Sequence, residues 1–157
     1  VAAGWDPQSW LILGEVRRVH ADAGLSVSAV QMATATAVLN LTSVQTPVTG
    51  ATLTVTTSRD NAIIEVHWHA DFEAIGATLT TGVCLLVVDG VNATPQAIWE
   101  MPTAAAAGRV TAGQTDTQIL AAAGAHTIRL DGIRAGGADN QIRINNIHTT
   151  LTVIVYE

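Results

Sequence analysis

The run His67-x-His69-x-x-x-Glu73 carries residue types and a spacing that could do chemistry. Alternate residues of a β-strand share a face, so two imidazoles and a carboxylate on one strand could converge on a metal ion. The element that must position them is the strand read over residues 62–72. Its even positions, Ala62, Ile64, Val66, Trp68, Ala70 and Phe72, are all apolar. Its odd positions include Glu65, His67, His69, Asp71 and Glu73, all polar. One face of such a strand is buried and the other is wet, and the histidines fall on the wet one. A solvated or subunit-facing strand surface is therefore the expected reading, with catalytic and metal sites both read as none. A metal bridging subunits through His67 or His69 is the minor alternative.

Other chemistries find little to stand on. Gly-x-Ser-x-Gly, a phosphate-binding loop and a dinucleotide glycine fingerprint are absent from the sequence. Thirteen acidic residues offer carboxylate pairs such as Glu65 with Asp71, as any chain with so many acids does, so the pairs carry no signal for glycoside hydrolysis. Cys84 is the single cysteine and lies in an apolar run, as a buried structural thiol would. The chain is accordingly read as no enzyme, with no cofactor. A Thr/Gln-rich stretch over residues 108–120 reads as an exposed polar hairpin, and Gln114 and Asp116 on it are the candidate ligand contacts.

From about residue 33 the hydrophobic period is two. Strands are expected over 34–41, 51–57, 62–72, 83–88 and 96–101, then around Ile128, Ile142 and Leu151, with a loop over 46–50. Ser58-Arg59-Asp60-Asn61 and Asp89-Gly90 are turns. Ile142 and Ile144 have one parity and Leu151, Val153 and Val155 the other, which places a bulge near Asn145-Asn146. Val83, Leu85 and Val87 belong to a strand that is apolar on both faces, and they are the candidate subunit-interface residues. About eight short strands separated by turns describe an all-β protein, an antiparallel jelly-roll β-sandwich.

The 157 residues suffice for one domain with a real core. Charged residues are only 13% against 48% hydrophobic, and all seven basic residues are arginine. Typical domains carry about 25% charged residues, so part of this surface is expected to be covered by partner subunits. A net charge of −6 with no basic run excludes phosphate-driven nucleic-acid binding. No apolar stretch is long enough for a membrane-spanning helix, so no membrane insertion is expected, and no signal peptide is visible at Val1-Ala2-Ala3-Gly4.

The first segment differs from the rest. Asp6-Pro7 reads as a helix start, and Trp10, Leu13, Val16 and Val19 recur every three residues up to the stop at Ala23-Gly24. This predicts a helix over 7–22, in an N-terminal arm of residues 1–32 ahead of a sandwich of residues 33–157. Trp5, Trp10, Leu13 and Val16 would either pack under the chain's own sandwich or anchor it to a neighbouring protein.

Two resemblances bear on function. The His67-x-His69-x-x-x-Glu73 spacing resembles the first metal motif of the cupins, which are also jelly rolls, but their later motif has no counterpart around His126 or His148. The stretch Gly108-Arg109-Val110-Thr111-Ala112-Gly113-Gln114, then Leu120 to Ala123, then Gly124-Ala125-His126-Thr127-Ile128-Arg129-Leu130, resembles the trimeric tumour-necrosis-factor-like jelly rolls of bacteriophage particles. So does the closing Thr149-Thr150-Leu151-Thr152-Val153-Ile154-Val155. Over residues 51–157 this resemblance implies a homotrimer on the virion surface, a structural protein decorating or stabilising the capsid with other virion proteins as partners. The alternatives are a tail fibre-tip module that binds a host surface glycan or receptor, and a cupin-like metal-binding protein.

Overall fold

The computed structural model describes residues 25–101 and 108–157. It contains nine strands: β1 (Val27–Thr34), β2 (Leu39–Asn40), β3 (Thr46–Thr57), β4 (Ala62–Ala74), β5 (Thr81–Val88), β6 (Val91–Glu100), β7 (Arg109–Leu120), β8 (Gly124–Gly136) and β9 (Ile142–Tyr156). No helix occurs among the described residues. The helix expected over 7–22, with Trp5, Trp10, Leu13 and Val16, lies outside them.

Alternation builds the strands. Ala62, Ile64, Val66, Trp68, Ala70 and Phe72 are all fully buried, as their period-two spacing requires. Asn61 and Asp89 adopt positive φ (58° and 50°), and Gly90 follows at 83°, so β3–β4 and β5–β6 turn tightly where the sequence places Asx and glycine. In β9 the buried set switches from Ile142 and Ile144 to Leu151, Val153 and Val155. The switch is absorbed by an excursion: Asp71 of β4 faces Asn145, whereas His69 faces Thr150. The bulge expected at Asn145-Asn146 is therefore present.

Two antiparallel sheets pack face to face. One has the order β1-β9-β4-β7, with β2 also on β9, and the other the order β3-β8-β5-β6. The pairs β1·β9, β3·β8, β4·β7 and β5·β6 nest one inside the next along the chain, which is the winding of a jelly roll. Trp68, Phe72, Leu86, Ile128, Leu130, Ile144 and Leu151 fill the space between the sheets.

Several expectations shift. The first sandwich strand begins at Val27, ahead of the boundary read at residue 33, because β1 pairs with β9 from Val27↔Tyr156 to Thr34↔Thr150. The single strand expected over 34–41 is instead the end of β1, a break and the short β2. Residues 46–50 are part of β3, not a loop. Pro47 is tolerated there because β3 is an edge strand, and its pairing with β8 slips between Pro47 and Thr52 around Gly50, whose φ is 87°. Residues 109–120 form one continuous strand paired along its length with β4, not an exposed hairpin.

Candidate functional site

Strand β4 lies inside its sheet, between β9 and β7, so its odd residues sit in the middle of the outward face. The register lays out rows across that face. His67 is level with Thr152 of β9, Met32 of β1 and Thr115 of β7; His69 is level with Thr150, Thr34 and Gly113. Glu65 is level with Ile154, Val30 and Thr117, and Ile63 with Tyr156, Val27 and Ile119. His67, His69, Gly113, Gln114 and Thr115 line an open depression of about 350 Å³.

Both imidazoles are oriented by neighbours. His67 places Nδ1 3.1 Å from Thr115 Oγ1 and Nε2 2.9 Å from Glu65 Oε1. His69 places Nδ1 3.4 Å from Thr150 Oγ1. Its ring rests on Gly113, where an added Cβ would meet His69 Cδ2 at 2.6 Å. A side chain at 113 would push this ring away, so glycine here is a matter of close approach.

The three carboxylates of the β4 outer face are partnered within the chain. Tyr156 donates its hydroxyl to Glu65 Oε2 at 2.9 Å, and burial together with that carboxylate raises the phenol's pKa. Arg109 Nε donates to both oxygens of the fully buried Asp71, at 2.8 and 3.1 Å. The pairing raises the Arg109 pKa against a smaller opposing effect of burial. Glu73 accepts from Asn145 and from Arg143, which hold its pKa below the usual carboxylate value. The β9 excursion is clamped to this row: the Asp71 N–H donates to Thr149 Oγ1 at 3.0 Å, and the Thr149 hydroxyl donates to the Asn145 carbonyl at 2.5 Å.

These contacts sort the sequence-predicted residues. His67 and His69 do share a depression, but Glu73 does not join them, because its carboxylate is spent on Arg143 and Asn145. Val83, Leu85 and Val87 are 4%, 4% and 1% exposed in the single chain, so they need no partner subunit to be covered. Gln114 and Asp116 pair in register with Trp68 and Val66, which puts them on the core-facing side of β7. Their polar groups are used locally: Gln114 Nε2 donates to the Gln96 carbonyl at 3.3 Å, and Asp116 accepts from Gln118 Nε2 at 2.6 Å and from the Thr117 N–H at 3.0 Å. The sequence reading missed the exposed apolar residues of the same outer face, Val30 (63%), Met32 (70%) and Ile119 (65%). Their signal was weak, since Val30 and Met32 stand singly among alanines, a glutamine and a threonine, and Ile119 is followed directly by the buried Leu120.

No family model matches the chain, and no curated protein matches it. Among solved structures it is similar to a protein of the T13 IBDV viral particle, at 12% identity and TM-score 0.44 over 82% of this chain. It spans 35% of that protein's length. It is also similar to the CBM36-1 domain of a multidomain xylanase from the hindgut metagenome of Trinervitermes trinervoides, at 10% identity and TM-score 0.41, covering 80% of this chain and 96% of that one. A third is the Eiger TNF from S. frugiperda, at 8% identity and TM-score 0.39, with 80% and 91% covered. These are likenesses of chain path alone.

Proposed function

We propose that this chain is a non-enzymatic structural protein of a bacteriophage virion, a homotrimer that decorates or stabilises the capsid. The observation that carries the trimer is the outward face of the β1-β9-β4-β7 sheet. It exposes Val30, Met32 and Ile119 around a centre of threonines and histidines, while Glu65, Asp71 and Glu73 already have partners within the chain. A face of this kind can be buried without stranding a charge, which is the condition for a stable subunit contact. Copies with a net charge of −6 repel one another, and they approach best through a surface whose carboxylates already have partners. A threefold ring would use this face against a different surface of the next copy, closing after three steps.

The virion assignment is supported by the sequence resemblance of residues 51–157. Attachment is assigned to the N-terminal segment through Trp5, Trp10, Leu13 and Val16, and three such segments binding together would add avidity. Two measurements test the reading. Light scattering is expected to give three times the 16.3 kDa chain mass, and a monomer at all concentrations would refute the trimer. Mass spectrometry of separated phage heads and tails is expected to find the chain with heads; its presence in neither fraction would refute the virion role.

A further inference from the structure

We propose that His67 and His69 form a transition-metal site shared between copies, in which one chain supplies an incomplete set of ligands and its neighbours complete it. The inference rests on the self-association proposed above.

The geometry resembles half of a coordination sphere. The His67 Nε2 and Glu65 Oε1 atoms are 2.9 Å apart. Two neighbouring ligands about 2.1 Å from one ion are separated by about 3.0 Å at the right angles of an octahedral site and by about 3.4 Å in a tetrahedral one. A cation can thus take the place of the proton between these two atoms with little movement of either side chain.

His69 is prepared in the same sense. Its Nδ1 is placed against the Thr150 hydroxyl, and its Nε2 lies over Gly113, where a Cβ would come within 2.9 Å of it. No hydrogen bond to that Nε2 is present among the described residues. In both histidines a threonine hydroxyl meets Nδ1, which leaves Nε2 of His67 to Glu65 and Nε2 of His69 to an ion. An imidazole whose second nitrogen is fixed by an outer hydrogen bond is the usual form of a metal-ligating histidine.

One chain cannot finish the site. Residues 67 and 69 are about 7 Å apart along the strand. Among the described residues, no three His, Cys, Asp or Glu side chains are grouped closely enough to hold an ion. The missing ligands must come from the neighbouring copy against which this face packs. Nitrogen-rich ligation with a carboxylate favours zinc, nickel or a similar divalent ion over calcium or magnesium.

The test uses the full chain, stripped with a chelator and dialysed, then titrated with Zn²⁺ or Ni²⁺ by calorimetry and thermal melting. Binding at fewer than one ion per chain, with a raised melting temperature, is expected. Both effects should be lost in H67A and in H69A, whose circular dichroism should be unchanged because the substitutions lie on the sheet surface. A metal-free trimer that binds neither ion, or binding that persists in the H67A/H69A double variant, overturns the site and leaves the trimer standing. A chain that remains monomeric with and without metal overturns the trimer, and the shared site with it. A monomer that assembles only on adding metal supports both.

Discussion

His126 and Asp89 clamp two turns of the sandwich together. The His126 ring places Nδ1 2.7 Å from Asp89 Oδ2 and Nε2 2.9 Å from the Ala122 carbonyl, so both ring nitrogens face acceptors. Asp89 Oδ1 also accepts the Thr127 N–H at 2.8 Å. This geometry favours the doubly protonated imidazolium. The carboxylate of Asp89 raises the His126 pKa, against a smaller opposing effect of burial and with help from the Ala122 carbonyl. For Asp89, burial pushes the pKa up, but His126 and the Thr127 N–H together bring it below its ordinary value.

The pH dependence follows from those directions. A raised histidine pKa gives stability that is fully present below the unfolded value of about 6.5 and is lost as pH rises through the folded pKa. A lowered aspartate pKa gives stability present above about 3.9 and lost as pH falls through the folded value. The pair should therefore support the fold best between about pH 4 and 6.5. Melting temperature is expected to fall from pH 6.5 to 9, with a loss on the order of 1.5 kcal/mol, the lower end of the range for a hydrogen bond to a charged group, because the Asp89 side chain is half exposed. H126Q should flatten that slope; an identical slope in the variant would refute the clamp.

Asp71 and Arg109 make a second prediction. Asp71 has no solvent exposure, and the guanidinium is its charge partner. Removing Arg109 leaves a buried carboxylate without compensation, whereas removing both charges does not. R109A should lower the melting temperature more than the R109A/D71N double variant. Equal losses in the two would mean that the unpaired buried carboxylate carries no penalty, and would refute the prediction.

How far the sequence revealed this arrangement depends on where each residue sits in the sandwich. β4 was legible because it is flanked on both sides and its two faces differ completely, from Ala62 to Phe72. β7 was not, because its core-facing positions Gln114, Asp116 and Gln118 lie at the rim of the sandwich, where polar groups still find partners. β3 was obscured by Pro47 and Gly50, which read as a loop and are in fact tolerated by an edge strand with a register slip. In the candidate site, the common face of His67 and His69 follows from spacing. The capture of Glu73 by Arg143 and Asn145 does not, since those partners are brought alongside only by the β4–β9 pairing.

Trp68 carries a third prediction. It is completely buried in the core, and its indole N–H has no acceptor among the described residues. Truncation to alanine should cost about 3–5 kcal/mol, the range for deleting a large buried aromatic ring. W68F should cost far less than W68A, because it keeps most of the ring volume and loses no hydrogen bond. Urea unfolding measures both, and a W68F loss as large as that of W68A would indicate that the indole N–H has a partner such as buried water.

The outer sheet face and the β5 strand give opposite outcomes for the same kind of substitution. Met32 and Ile119 are exposed in the single chain, so M32E and I119E should leave the fold intact. In the trimer each would place a carboxylate in the contact and lose about 1.5–3 kcal/mol of apolar burial, so the double variant should run as a monomer with an unchanged circular dichroism spectrum. Val83 is already covered within one chain, so V83E should unfold the protein at every concentration instead of dissociating it. Light scattering and circular dichroism on the variants separate the two effects. A trimer that survives M32E/I119E would show that its contacts lie elsewhere on the sandwich.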